Sequence, residues 1–330
     1  MKAGQGAQME NAEEFADLVE PFRRELLAHC YRMMGTLDEA EDLVQETFLR
    51  AWRSYEAFEG RSSLRVWLYK IATNTCLSAR ERRARRPLPS GLGPPSDDPF
   101  QAPEAPGSTV VWLQPIPDAI VTSGGPADPA DIVSSREKLR LALTASLQHL
   151  APRQRAVFIL REVLDFPAAE VARMLDISVA AVKSLLQRAR AGMALAAPEV
   201  AAEPTEPQGR ALLEQYMTAF ENSDLDALER ALRKDAALEM VGYTTWFSGL
   251  ETCLRYIDQV IGPPGTWRMM PTRANGQPAA GAFLRRADGA YDAFGIAVLT
   301  VTSDGISRIV LFAEPGLLPR FGLPSSLPSS

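Results

Sequence analysis

The sequence predicts a multidomain chain: two all-α units followed by an α+β unit, joined by proline-rich linkers. Three observations carry that expectation. Its 330 residues suffice for two to three domains of roughly 100–200 residues each. Apolar residues recur at spacings of three and four through residues 10–86 and 132–197, without sustained alternation, which is the helical pattern. After residue 208 a helix from about Gly209 to Asn222, with Leu213, Met217 and Phe220 on one stripe, and another from Leu225 precede a strand-like remainder that alternates, as in Ile296, Val298 and Thr300. Asn275-Gly276, Asp288-Gly289 and Asp304-Gly305 mark tight hairpin turns there.

Composition narrows the class. Hydrophobic residues at 46% and charged residues at 23% fit a folded globular protein. The longest apolar runs, such as Ile296 to Val301, fall far short of the roughly 18 residues that span a bilayer. The N-terminus is polar and acidic, so the expectation is a cytoplasmic protein with no membrane association. Cys30, Cys76 and Cys253 lack metal-ligand spacing and only His29 and His149 occur, so neither metal nor cofactor is expected. The net charge of -6 is partitioned along the chain. Residues 61–90 carry eight basic and one acidic side chain, and residues 136–192 carry ten and five, whereas residues 91–135 carry six acids and no base. Two basic islands in an acidic chain suggest two contacts with a polyanion.

Within the first unit, Asp38 and Glu41 have capping-box spacing, and Ala40, Val44, Phe48 and Trp52 then form one apolar stripe. The opposite face presents Asp42, Gln45, Glu46 and Leu49. The next helix, starting near Ser62-Ser63, places Leu64, Trp67, Leu68, Ile71 and Thr75 inward. It leaves Arg65, Tyr69, Lys70, Asn74 and Arg80 outward, with Arg82, Arg83, Arg85 and Arg86 beyond. Aromatics interleaved with cations suit unstacked bases: stacking contributes about 1 to 3 kcal/mol per base while Lys and Arg hold phosphates.

The segments DLVQETFLRAW (42–52) and FEGRSSLRVWLYKIATNT (58–75) with the following arginine cluster resemble region 2 of extracytoplasmic function sigma factors. That resemblance implies docking of Asp42, Gln45, Glu46 and Leu49 on the clamp helices of core RNA polymerase. It implies capture of a flipped base of the promoter −10 element on the non-template strand, with Phe58 and Asn74 at the base pocket. Arg61, Arg65, Tyr69 and Lys70 become backbone or base contacts. An aromatic face plus an amide that donates and accepts is what reading a splayed base requires.

In the second unit, LAPRQRAVFILREVL (150–164) precedes DFPAAEVARMLDIS and VAAVKSLLQRARAGM. Ser178 is placed as N-cap of the last helix, and a short turn falls at Asp176-Ile177. Val171, Ala172, Leu175, Val182 and Ala189 read as a small trihelical core. Lys183, Ser184, Gln187, Arg188 and Arg190 lie outward, the cationic face with which a helix-turn-helix enters the major groove. This unit resembles region 4 of the same family, which reads the −35 duplex, with Phe166-Pro167 where many members carry Ser before the positioning helix.

Between Pro87 and Pro129 lie 11 of the 25 prolines and no Lys or Arg, which favours an extended linker. Inside it, VVWLQPIPD (110–118) concentrates apolar residues and reads as a docking segment. It resembles the WL-x-P-x-P signature of sigma factors with a SnoaL-like extension, assigning Trp112, Leu113, Pro115, Pro117 and Asp118. In that family the linker threads the polymerase channel, and the acids Asp97, Asp98 and Glu104 would mimic transcript there. A second break runs from Pro198 to Pro207.

Residues 208–323 resemble the SnoaL-like, nuclear-transport-factor-2-like α+β cone. Tyr216, Glu239, Tyr243, Arg273 and Asp292 form a candidate pocket for a small-molecule ligand. The cyclase-type members rely on His and Asp, and this unit has no histidine, so a regulatory module acting in cis, on a ligand, region 2 or the linker, is expected rather than an enzyme. The predicted organisation is therefore region 2 (10–86), linker (87–131), region 4 (132–197) and cone (208–323), in a sigma factor that binds core polymerase and promoter DNA. An anti-sigma partner is left open. The rival reading is a one-component regulator whose cone senses a metabolite and whose helix-turn-helix binds an operator alone; such a protein has no use for the DLVQETF and WLYKIATN helices.

Overall fold

The computed structural model describes residues 13–80, 85–121, 139–196 and 205–329. The chain folds as two compact units, not as one body per predicted domain: residues up to Arg86 join Leu141–Ala197 in unit 1, while Pro87–Ala119 and Ser135–Arg140 join 198–330 in unit 2.

Unit 1 is helical. A helix over 13–19 is followed by α2 (Arg23–Met34), α3 (Leu37–Ser54), α4 (Leu64–Arg80), α5 (Leu141–Leu147), α6 (Pro152–Phe158, continuing through a π-turn at Ile159–Val163), α7 (Ala168–Leu175) and α8 (Val179–Ala196). Gly35 ends α2 in the left-handed region at φ 86°, where glycine has no Cβ penalty, and its amide donates to Tyr31 O at 2.7 Å. Helix α3 begins at Leu37 with Thr36 as N-cap, so Asp38 lies in the first turn, where its charge suits the helix dipole, instead of forming the expected cap. Its apolar stripe is also shorter than expected: Ala40 and Val44 are buried, but Trp52 is 36% exposed.

The last carbonyls of a helix have no partner within it. In α2 those of Met33 and Met34 are buried, and two arginines that are themselves enclosed supply the donors. Arg86 donates to Met34 O at 2.8 Å and pairs with Glu39. Arg155, at the start of the second helical set, donates to Met33 O, to Gln148 Oε1 at 2.8 Å and to Leu150 O at 3.3 Å. Gln148 Nε2 in turn donates to Arg32 O at 3.4 Å. The cations sit at the negative end of the α2 dipole, and the network ties residues 23–86 to 141–163 within one body.

The helix-turn-helix follows its sequence signals. Asp176 turns the chain at φ 51°, a left-handed conformation that Asp tolerates, and Ser178 Oγ accepts from Ala181 N at 3.1 Å to cap α8. Before α7 the N-cap is Pro167, which makes no side-chain cap bond.

Unit 2 opens with α9 (Glu206–Glu221), capped by a reciprocal Thr205–Gln208 box, and α10 (Leu225–Ala231), capped by Asp224. The sheet runs β2-β1-β6-β5-β4-β3, comprising β1 (Leu232–Val241), β2 (Trp246–Ser248), β3 (Trp267–Ala274), β4 (Gln277–Arg285), β5 (Tyr291–Thr302) and β6 (Gly305–Phe312); β7 (Ser326–Leu327) pairs with β5. The three Asx-Gly pairs close the β3–β4, β4–β5 and β5–β6 hairpins, with Asn275 and Gly276 both at positive φ, as a type I′ turn requires. Two features differ from the sequence expectation. Strands β1 and β6 pair in parallel, so the sheet is mixed. Residues 250–261, read as strand-like, form helix α11 (Leu250–Ile261), whose Cys253, Ile257 and Ile261 face the core. Helices α9, α10 and α11 pack on one face of the sheet over Leu238, Met240, Ala297, Leu299, Ile306 and Ile309, giving the cone.

Residues Pro87–Ala119 of the linker belong to unit 2. Leu113 N donates to Pro87 O at 3.2 Å, closing residues 87–113 into a loop, and Ser96 and Pro117 make isolated bridges to the sheet at Phe247 and Ala274.

Two outcomes are expected. Arg155→Ala leaves the Met33 and Leu150 carbonyls without this donor and should lower the stability of unit 1 by about 2–4 kcal/mol, read from chemical denaturation. Burial, aided by Arg32, pulls the His29 pKa down to about 3, so His29 is neutral in the fold while the unfolded chain takes up its proton near pH 6.5. Its contribution is complete above that pH and falls as pH drops, by about 2 kcal/mol between pH 7 and 5. His29→Gln should flatten the pH dependence of unfolding by that amount.

Candidate nucleic-acid interface

Helix α8 is built with two faces. Val182, Leu186 and Ala189 are buried against the trihelical core, and Lys183, Ser184, Gln187, Arg188 and Arg190 are exposed. Arg188 is held along the helix by Ser184, whose carbonyl and hydroxyl each accept from it at 3.4 Å. Arg190 pairs with Glu162 at 2.8 Å. These five side chains share one cationic, solvent-facing stripe, as the sequence expects.

On α3, Asp42, Gln45 and Leu49 are exposed, Leu49 by 50%, while Glu46 is half-buried and pairs with Arg50 at 2.7 Å. A shallow apolar groove of about 420 Å³ extends this face, lined by Phe15, Val19, Phe48, Leu49 and Trp52. Phe15 and Trp52 pack with ring centroids 5.3 Å apart. Sequence reasoning placed Trp52 inside and did not single out Phe15 or Val19; the acidic N-terminal stretch around them masks their helical spacing.

The residues assigned to the −10 strand are divided by the fold. Phe58, Arg61 and Lys70 line a cavity of about 480 Å³ together with Trp67, Arg173, Met174 and Asp176. The Phe58 and Trp67 rings lie 4.7 Å apart, and Arg61 pairs with Glu59. Asn74 is not among the lining residues. Its amide donates to Lys70 O at 2.9 Å and to Met174 O at 3.1 Å. Arg65 pairs with Glu25 at 2.9 Å and lies over the rings of Tyr69 and Phe166. Tyr69 departs from the expectation of an outward aromatic. It is fully enclosed, its hydroxyl lies 3.3 Å from Glu25 Oε2, and burial followed by the Glu25 charge pushes its phenol pKa upward. The Phe166 and His29 rings, 5.1 and 5.2 Å away, enclose it. Of the arginine cluster, Arg86 is buried against α2 and Arg85 contacts His149 at 2.6 Å; Arg82, Arg83 and the Arg80 side chain lie outside the described residues.

In unit 2 the linker motif meets the sheet. Leu113, Pro115, Ile116, Pro117 and Asp118 are buried and Trp112 is half-buried. Asp118 accepts from Gly276 N at 2.7 Å and from Arg273 at 3.1 Å. Ile116 and Asn275 exchange two bonds of 3.0 Å, one from each backbone amide. Upstream, Ser90 N donates to Glu239 Oε2 at 2.8 Å while Arg308 pairs with the same carboxylate, which is completely buried. The acids Asp97, Asp98 and Glu104 are exposed, and Glu104 is fastened through its backbone amide to Thr245 Oγ1 at 2.9 Å.

This arrangement corrects the candidate ligand pocket. Glu239 and Arg273 are engaged by the linker, Asp292 pairs with Arg286 at 3.4 Å, and Tyr243 is 39% exposed beyond β1. Tyr216 is enclosed in the helix-packed core, where burial raises its pKa. The five are therefore not gathered around one cavity. The residues that sequence reasoning missed are Asn275, Gly276 and Arg308. The signal for the first two was present, but as a hairpin turn instead of a docking point.

Comparison with known proteins agrees with this architecture. Residues 18–86 match the Sigma-70 region 2 family and residues 140–193 match Sigma-70, region 4. The Mycobacterium tuberculosis protein named ECF RNA polymerase sigma factor SigG is 48% identical over 323 residues, 96% of this chain and 86% of the relative. A probable ECF sigma factor of the same organism, SigI, is 28% identical over 90% of this chain and 92% of its own. The crystal structure of M. tuberculosis SigJ shares the fold over 94% of this chain and all of that one, with a TM-score of 0.59 at 23% identity. Among the described residues no helix is long and apolar enough to cross a membrane. With both sigma regions matched and near-half identity along almost its whole length, the chain belongs to the extracytoplasmic function sigma factors.

Proposed function

We propose that this chain directs promoter-specific initiation by linking core RNA polymerase to two promoter elements. Helix α8 reads the −35 duplex through Lys183, Ser184, Gln187, Arg188 and Arg190. The α4 side of unit 1, with Phe58, Arg61, Arg65, Tyr69, Lys70 and Asn74, takes a flipped base and the backbone of the −10 non-template strand. Asp42, Gln45, Glu46 and Leu49, with the neighbouring Phe15–Trp52 groove, dock on the polymerase clamp. The exposed cationic stripe of α8, set on a capped helix after a left-handed Asp176 turn, carries this reading. The one-component regulator is not favoured, because it leaves the acidic-apolar face of α3 without a purpose.

The cone acts in cis and not as an enzyme. It has no histidine for acid–base work, and Glu239 is spent on Arg308 and the linker. Its role in this reading is to hold residues 87–118 against the sheet, so that the linker must be released before it can enter a polymerase channel. The paired anchors at Glu239 and at Asp118 support that role.

Two outcomes are expected. Lys183→Ala or Arg188→Ala should cost about 1–3 kcal/mol of −35 discrimination with little change in polymerase affinity, measured by transcription from −35 variants and by polymerase binding. Equal losses on all −35 sequences would contradict base reading. Arg273→Ala should speed proteolysis within residues 87–118 and change transcript yield without altering −35 preference. Unchanged proteolysis would remove the clamp.

A further inference from the structure

One side chain of the cone serves two segments that are distant along the chain. Asn275, at the β3–β4 turn, is completely buried. Its Oδ1 accepts from Ile116 N at 3.0 Å, and its Nδ2 donates to Leu139 O at 3.0 Å. Ile116 belongs to the WLQPIPD motif. Leu139, only 2% exposed, stands two residues before Leu141, where α5 opens region 4. Both partners belong to unit 2 with the cone, whereas Leu141 already belongs to unit 1. The turn alone does not call for asparagine. At φ 55°, followed by Gly276 at φ 72°, Asp or Gly would serve the type I′ geometry as well. Only a carboxamide offers an acceptor and a donor on one planar group, and here each is used on a different segment. The linker side is held by further bonds: Asn275 N donates to Ile116 O at 3.0 Å, and Asp118 accepts from Gly276 N at 2.7 Å and from Arg273 at 3.1 Å. None of these bonds touches Leu139.

We infer that Asn275 is the positioning residue that couples the linker to the lead-in of region 4, so that undocking the linker also frees that lead-in from the cone. The inference rests on the proposed release of residues 87–118 and deepens it. When Ile116 departs, the buried Oδ1 loses its partner unless water enters the turn, and water that reaches Oδ1 also competes for the Leu139 carbonyl. Separate release leaves a buried polar group unmet; joint release leaves none. In the docked form the chain enters region 4 from a fixed point on the cone. In the undocked form region 4 follows an open tether that runs from 87 to 140, whose reach grows with its length. Capture of the linker by polymerase thereby sets region 4 free to meet the −35 duplex.

The test uses the full chain with one reporter substitution, Leu113→Cys for the linker or Leu139→Cys for the lead-in, and reads the rate of maleimide labelling; the native cysteines are buried. Asp118→Asn loosens only the linker side. It should speed labelling of both reporters about tenfold, within the usual range of coupling between sites. Asn275→Gly keeps the turn and removes the shared amide. In that background, adding Asp118→Asn should speed labelling of the 113 reporter and leave the 139 reporter unchanged, a separation that general weakening of the fold does not produce. With Asn275 present, acceleration of the 113 reporter alone or of neither would overturn the coupling, as would equal acceleration of both in the Asn275→Gly chain. Core polymerase added to the reporter chains should also raise both rates. If it raises neither, the release reading fails, while the coupling is decided by the Asp118→Asn comparison. Melting curves matching the parent establish that each variant remains folded.

Discussion

The buried end of α2 is the constraint on which unit 1 depends. A helix that stops inside a core leaves carbonyls that neither water nor the next turn can satisfy, and each unmet one costs about 1–3 kcal/mol. Here Met33 and Met34 receive their donors from Arg86 and Arg155, the second of which belongs to the other helical set. Neither arginine could be left in the core alone, and the α2 end could not be left without them. The polar latch thus makes regions 2 and 4 one body in the free chain and brings α7 onto α4.

The same logic orders the linker. A proline-rich chain cannot extend a sheet, since proline lacks the amide, so it is pinned at discrete points instead: Ser90 to Glu239, Ile116 to Asn275, Asp118 to Gly276 and Arg273. Each pin uses a polar group of the cone: the Glu239 carboxylate, the Asn275 side chain, the Gly276 amide and the Arg273 guanidinium. Such a strap, held at discrete points, suits the proposed release of residues 87–118 on polymerase binding.

Much of the architecture was legible from spacing. The helix-turn-helix, the Ser178 cap and the Asx-Gly hairpins are local signals, and local chemistry decides them. What failed was non-local. Tyr69 reads as outward on its own helix and is enclosed by groups distant in the chain, the His29 and Phe166 rings and Glu25. Helix α11 was hidden because Leu250, Cys253, Leu254, Ile257 and Ile261, though at helical spacing, sit in a stretch of hairpin turns that favours the opposite reading. The parallel β1–β6 pair could not be anticipated from hairpin signals, which specify antiparallel neighbours alone. Glu239 and Arg273 looked like pocket residues because chemistry-bearing side chains on strands are few; their partners are on the linker, which composition marks only as extended.

The most direct measurement mixes the purified full-length chain with bacterial core RNA polymerase and genomic DNA and sequences the 5′ ends of the transcripts. Defined starts preceded by a shared −35 and −10 pair at constant spacing are the predicted result. Failure to form a complex with core polymerase, together with tight binding of a duplex operator by the protein alone, would contradict the account.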